Sequence, residues 1–157
     1  MKAIQDYYPD HFSHCYGCGR LNEHGHQIKT TWEGDETVTR FVPKPYHTAI
    51  YGFVYGGLLA SLIDCHGTGS AALALAKANN IELTEGSAPR CVTGSLKVDY
   101  KKPTPIDGTL EIRGIIKEIK GRKVIVEARL IAGGEVCVTG EIIAIQVPDD
   151  FGIPGKG

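Results

Sequence analysis

The chain has 157 residues, 42% hydrophobic and 22% charged, with 17 Lys+Arg against 18 Asp+Glu for a net charge of −1. That size and balance fit one globular domain, exclude a disordered or fibrous chain, and leave no overall basic field to hold nucleic acid. The longest greasy stretch, Leu58 to Ala76, is broken by Asp64, His66, Thr68 and Ser70, so no uninterrupted run of about eighteen apolar residues marks a membrane span.

The opening MKAIQDYYPDHF carries no apolar h-region, which reads as no signal peptide. Five cysteines without such a leader read as cytosolic thiols, so the expected location is cytoplasmic. Residues 1–25 are polar, aromatic and rich in His and Cys, with no clear period. They are expected to lie as an arm on a core that residues 26–147 build.

From Gln27 the pattern turns strand-like: IKTTW, a charged turn at Glu33-Gly34-Asp35-Glu36, then TVTRFV, stopped by Pro43 and Pro45. One long helix is predicted after Tyr55-Gly56-Gly57, running to about Lys77. At about 100° per residue, Asp64 shares a stripe of small residues with Gly57, Ala60, Ser61, Gly67, Thr68 and Ala71, opposite Leu58, Leu59, Leu62, His66 and Leu73. A helix apolar nearly all round is buried on most sides. Gly67 and Gly69 each cost about 1 kcal/mol relative to Ala, so close approach by another backbone or a ligand is expected there.

After the loop Asn79–Pro89 the rest reads as strands. Val92, Gly94, Leu96, Val98 and Tyr100 alternate with Thr93, Ser95, Lys97 and Asp99. Asp107-Gly108, Lys120-Gly121-Arg122 and Ala132-Gly133-Gly134 mark turns, and short turns demand antiparallel neighbours. The predicted order is β-β-α-β-β-β-β, followed by a tail, 148–157, expected to be mobile. This is an α+β chain whose curled antiparallel sheet buries one face on the one long helix. The last strands are apolar on both faces around EIIAI, and a second copy is the simplest cover, so at least a dimer is expected.

The segment GFVYGGLLASLIDCHGTGSA resembles the helix start of hotdog-fold acyl-CoA thioesterases of the PaaI-like type, in which a Gly, a His-Gly-Gly and an Asp recur at fixed spacing. Gly52, Gly56, Gly57 and Asp64 match that spacing. TGSLKVDYKKPTPIDGTL looks like the strand that follows the helix there, and HCYGCGRLNEHGHQIK is similar to a leader of the form CxGCGxxNxxGxxI. The likeness spans roughly residues 14–147. Two positions depart from it: the family's His before the Gly pair is Tyr55, and its frequent Asn falls on Ala49.

The resemblance implies a homodimer, or a tetramer of paired dimers, that hydrolyses acyl-CoA thioesters. Gly56 and Gly57 would offer unpaired amides at a helix start, where dipole and donors favour negative charge. Asp64 is costly in an apolar helix unless paired or used; it would serve as general base or nucleophile. The alternative for Asp64 is a bond to neighbouring backbone or a Tyr across the dimer. Thr93, from the other subunit, would orient the water, and Tyr55 would place its phenol near the thioester carbonyl or fill the space. Lys120 and Arg122 are candidates for the phosphates of CoA. This chemistry needs no metal or organic cofactor.

Other residues read more plainly. His66 is expected to be a core histidine, and Cys91 and Cys137 core thiols; Cys65 points off the Asp64 direction. Cys15-x-x-Cys18 with His14, His24 and His26 has the donor types of a zinc site. His24 and His26 are too close for an ordinary ligand pair, and the resemblance implies a packing loop, so no metal is expected. Two further functions stay open: a non-catalytic acyl-CoA binder, and a hotdog hydratase or dehydratase, which wants a His/Asp or His/Glu pair.

Overall fold

The computed structural model describes residues 1–155. Two 3₁₀ turns, Ile4–Tyr7 and Asp10–Phe12, precede β1 (Thr31–Glu33), β2 (Glu36–Phe41), α1 (Gly56–Ala78), β3 (Cys91–Tyr100), β4 (Leu110–Lys120), β5 (Lys123–Ala132) and β6 (Glu135–Gln146). The order matches the sequence reading. The β4–β5 and β5–β6 turns rest on Gly121 at φ 59° and on Gly133 and Gly134 at φ 58° and 79°, a region that glycine occupies freely. The six strands form one antiparallel sheet in the order β1-β2-β4-β5-β6-β3, with β3 an edge strand.

α1 lies across one face of this sheet. Leu62 and Ile63 pack into a core with Ile112, Val124, Val126, Leu130 and Ile142, and each such buried side chain stabilises the fold by about 1.5–3 kcal/mol. The glycines set the spacing. A Cβ at Gly67 would stand 2.6 Å from Cβ of Ile142, and one at Gly69 would stand 2.7 Å from Nε2 of Gln5 and 2.9 Å from Oγ1 of Thr30. The close approach is therefore made by a β6 side chain and by the arm.

The arm covers the side of α1 that the sheet leaves free. Ile4 and Tyr8 cluster with Ala72, Leu73 and Ala88. Ile4 N donates to Thr30 O at 3.0 Å, and the Gln5 side chain accepts from Thr30 N at 2.9 Å and donates to Thr30 Oγ1 at 3.2 Å. By length and composition alone α1 could cross a membrane, but 83% of its most apolar window is buried in the fold, as for a core helix. Of the tail, Asp149 O bonds His11 Nε2 at 2.6 Å; residues 156–157 lie outside the described residues.

His66 is a core histidine, as expected. Its Nδ1 is 2.8 Å from Thr39 Oγ1, and its Nε2 is 3.3 Å from both Thr37 Oγ1 and Ser70 Oγ. Burial pushes its pKa down to about 3, so the ring is neutral. The unfolded chain takes up a proton here below about pH 6.5, and the folded chain does not until near 3. Stability from this group is therefore present above about 6.5 and lost as pH falls through that window. Urea midpoints measured between about pH 7 and pH 4 should fall less steeply, by the share of one proton, in His66→Gln than in the parent. Gly67→Ala tests the helix–sheet spacing. Alanine should gain about 1 kcal/mol of helix propensity, yet overpacking against Ile142 should leave a net loss of about 1–3 kcal/mol in urea unfolding.

Candidate active site

α1 starts abruptly. Tyr55 sits at its N-cap with no side-chain cap bond, and Leu58 N and Leu59 N both donate to Tyr55 O, at 3.1 and 3.3 Å. The amides of Gly56 and Gly57 come before these bonds and have no protein partner among the described residues. They stand at the positive end of a 23-residue helix. The Tyr55 ring folds over this end. A Cβ on Gly57 would stand 2.5 Å from ring atoms Cε2 and Cζ and 2.6 Å from Oη, so the bare Gly57 backbone is what admits the phenol. Tyr55 itself is 57% exposed.

β3 flanks α1 and bonds to it twice. Tyr100 Oη donates to Gly56 O at 2.8 Å, and Thr93 Oγ1 donates to Asp64 Oδ1. Strict alternation puts Thr93 and Tyr100 on opposite faces of the strand. A bulge between Thr93 and Ser95 shifts the register against β6, and the added residue brings both to the helix side. Sequence reasoning singled out Thr93 but expected it from a second subunit. The structure makes the contact within one chain, because β3 runs beside its own α1. Asp64 is partly buried and stays open enough for solvent contact.

At the start of α1 lies a cavity of about 430 Å³ lined by Ala49, Phe53, Leu59, Tyr100, Pro103 and Thr104, with Lys101 and Lys102 also on its wall. Ala49 presents only a methyl where the resemblance has an Asn. Thr104 Oγ1 is buried without a hydrogen-bond partner among the described residues, an available polar group that sequence reasoning missed; Pro103-Thr104-Pro105 signalled only a turn. Lys120 and Arg122 are not at this cavity. They are exposed in the β4–β5 turn, where the register runs from Lys123 to Ile145 and on to Val92, at the end of the sheet where β3 begins.

The cysteines divide in two. Cys91 and Cys137 are buried in the main core, as expected. Cys65 is not a solitary helix thiol: its sulfur and those of Cys15 and Cys18 all lie within 4.8 Å of one another. Hydrogen bonds from Cys18 and Cys65, and from the backbone of Cys18 and Gly17, pull the Cys15 thiol well below its ordinary value. Sharing with Cys15, with burial, lifts Cys18 to about 11 and Cys65 well above the ordinary range. The histidines considered with Cys15 and Cys18 do not converge on them. His24 pairs with Glu23 at 3.6 Å, and His26 packs edge-on against Phe41 and His47, with ring centroids 5.8 and 5.5 Å apart.

The geometry has parallels among known proteins. Residues 51–139 match the thioesterase superfamily. A solved thioesterase superfamily protein from Shewanella loihica is 46% identical, with a TM-score of 0.68 over 88% of this chain and 98% of that one. The acyl-coenzyme A thioesterase THEM4 of Xenopus laevis is 32% identical over 110 residues, 70% of this chain and 44% of that protein. THEM4 of Mus musculus is 29% identical over 114 residues, 73% of this chain and 44% of that protein. The chain thus spans less than half the length of these two relatives. An uncharacterized protein from Pyrococcus horikoshii, 17% identical, superposes with a TM-score of 0.61 over 94% of this chain and 95% of its own, a likeness of fold alone.

Proposed function

The chain belongs to the thioesterase superfamily, and from that premise we propose that it hydrolyses acyl-CoA thioesters to the free acid and CoA. The observation that carries this reading is the pairing of two unpartnered amides at the start of α1 with a Thr93-bonded carboxylate at Asp64. The amides of Gly56 and Gly57 receive the charge that develops on the thioester oxygen. Such donors are worth about 10²–10³ in rate each.

Asp64 takes a proton from water as the water oxygen adds to the carbonyl carbon, then returns it to the CoA thiolate when the C–S bond breaks. Direct attack by Asp64, with an anhydride hydrolysed afterwards, uses the same geometry. Thr93 holds the carboxylate by its hydroxyl proton and offers its oxygen to the water. The Tyr55 phenol is a further donor beside the amides. The cavity of Ala49, Phe53 and Leu59 suits an apolar chain, and Lys101, Lys102, Lys120 and Arg122 are cations available to the CoA phosphates.

One chain does not supply all of this to a single thioester. Gly57 and Asp64 lie seven residues apart on α1, about 10 Å along its axis, whereas attack requires about 3–3.5 Å. The amides of one copy and the Asp64 of another therefore serve each thioester, and the chain works as a homodimer. In support, β3 is an edge strand with no second partner strand among the described residues, and it leaves Val92, Leu96 and Tyr100 exposed, a surface that asks for cover. Five free thiols suit a reducing compartment such as the cytoplasm.

A specific observation favours a second reading, a non-catalytic acyl-CoA binder: Tyr55 and Ala49 stand where the resemblance has His and Asn. Thiol release from short, long and aryl acyl-CoAs separates the two, since a binder retains CoA esters without releasing thiol. For the enzyme, Asp64→Asn should lower kcat by about 10²–10⁴-fold while the protein stays folded, and Thr93→Val should lower it about ten- to hundredfold at little change in KM. Unchanged kcat in Asp64→Asn would reject the assignment. Sharing between copies has its own test. Mixing Asp64→Asn subunits with Gly57→Val subunits should restore activity, because each mixed dimer holds one intact site; a site contained in one chain gives no recovery.

A further inference from the structure

We propose that Cys15, Cys18 and Cys65 form a thiolate site for a soft divalent cation of the zinc class, clamping the arm to α1 one residue beyond Asp64. The three sulfurs come from two parts of the chain separated by about fifty residues, and they meet within 4.8 Å of one another, with Cys15 and Cys65 at 3.9 Å. A tetrahedral zinc ion bound at about 2.3 Å by sulfur spaces its ligands about 3.8 Å apart.

The surroundings are shaped to this meeting. Gly17, between the two arm cysteines, has no Cβ, and one there would overlap the Cys65 sulfur. The loop closes on itself through Gly19 N to Cys15 O at 2.7 Å. Three thiolates on a divalent ion leave one surplus negative charge. The largely buried Arg90 guanidinium supplies the counter-charge: its Nη2 lies 3.9 Å from Cys18 Sγ, with the guanidinium held over the Tyr8 ring at 4.9 Å. A buried cation of this kind is costly without an anion beside it, and the thiolate cluster is that anion.

Cys15 also lines a cavity of about 270 Å³, together with His14 and Arg90. The cavity gives an ion a path in and leaves a fourth position for water. This inference does not depend on hydrolysis, since no step of that reaction passes through the thiols.

The test uses the full chain, purified with reductant, stripped by a chelator and titrated with cobalt(II). One equivalent should bind with a thiolate-to-cobalt charge-transfer absorption that zinc(II) abolishes, and thermal unfolding should shift upward on loading. Cys15→Ser and Cys18→Ser should weaken binding at least about tenfold and lower the absorption per cobalt. Arg90→Lys, which keeps the charge, should bind more tightly than Arg90→Gln, by about 10–100-fold if the guanidinium acts as an outer partner of the ligands. Asp64→Asn should bind cobalt as the parent does, so loss of turnover and loss of metal are read separately. A reduced, folded chain that shows no thiolate absorption overturns the proposal. So does an absorption unchanged in Cys15→Ser, or a Cys15–Cys65 disulfide whose reduction yields no cobalt binding.

Discussion

The close approach of α1 to the sheet governs what the rest of the molecule can do. A 23-residue helix that packs Gly67 against Ile142, and Ile63 against Gly140, has almost no free surface. The sheet takes one side and the Ile4–Tyr8 part of the arm another. Polar groups within such a helix must be satisfied locally or placed where the packing ends. His66 and Ser70 are satisfied locally, by Thr37 and Thr39. Asp64, the one acidic residue on α1, and the free amides at Gly56 and Gly57 lie where the packing ends, and that is where chemistry becomes possible.

Much of this was legible before any coordinates. The glycine turns at Gly121 and at Gly133–Gly134, the alternating apolar residues between them and the largely apolar run after Gly57 report local backbone preferences and burial, and the fold follows from them. Gly67 and Gly69 announced close contacts through their cost to a helix, although their neighbours, Ile142 and the arm, are far away in sequence and could not be named. The β3 bulge was harder to read. Alternation from Val92 to Tyr100 is regular in the sequence, and only Gly94 in mid-strand hinted at a break. A one-residue shift reverses every side chain beyond it, so the regular alternation hid that Thr93 and Tyr100 both reach α1 from the same strand, and the resemblance placed Thr93 on a second subunit.

The thiol cluster shows a different limit. Cys15 and Cys18 announce themselves by spacing, and the histidines near them in sequence all belong to the arm and its exit. Helical arithmetic places Cys65 relative to Asp64 correctly but says nothing of what covers it. The covering group is the loop at Gly17, brought there by the bonds of His26 N to Tyr16 O and Ile28 N to Gly17 O, long-range packing that no local pattern encodes. In the same way the pairing of Arg90 with Cys18 joins residues from the arm and from the approach to β3, and neither has a motif.

β3 ties these features into one device. Along its length Tyr100 bonds the helix start at Gly56, Thr93 bonds Asp64, and Arg90, just before the strand, reaches the thiols beside Cys65. The strand therefore fixes two points on α1 in antiparallel order, and Arg90 ties its approach to the arm at Cys18, while its outer edge has no partner strand among the described residues. Any displacement of β3 moves the carboxylate partner and the helix-start carbonyl together, whereas the amides of Gly56 and Gly57 are fixed by α1 itself. A second copy seated on this edge would restrain the strand that positions Asp64 and present its own helix start to the same space. Assembly and alignment of the reacting groups would then be a single event. On the proposed dimer, an exposed edge strand that is ordinarily a liability would be covered, and pairing it would complete the site.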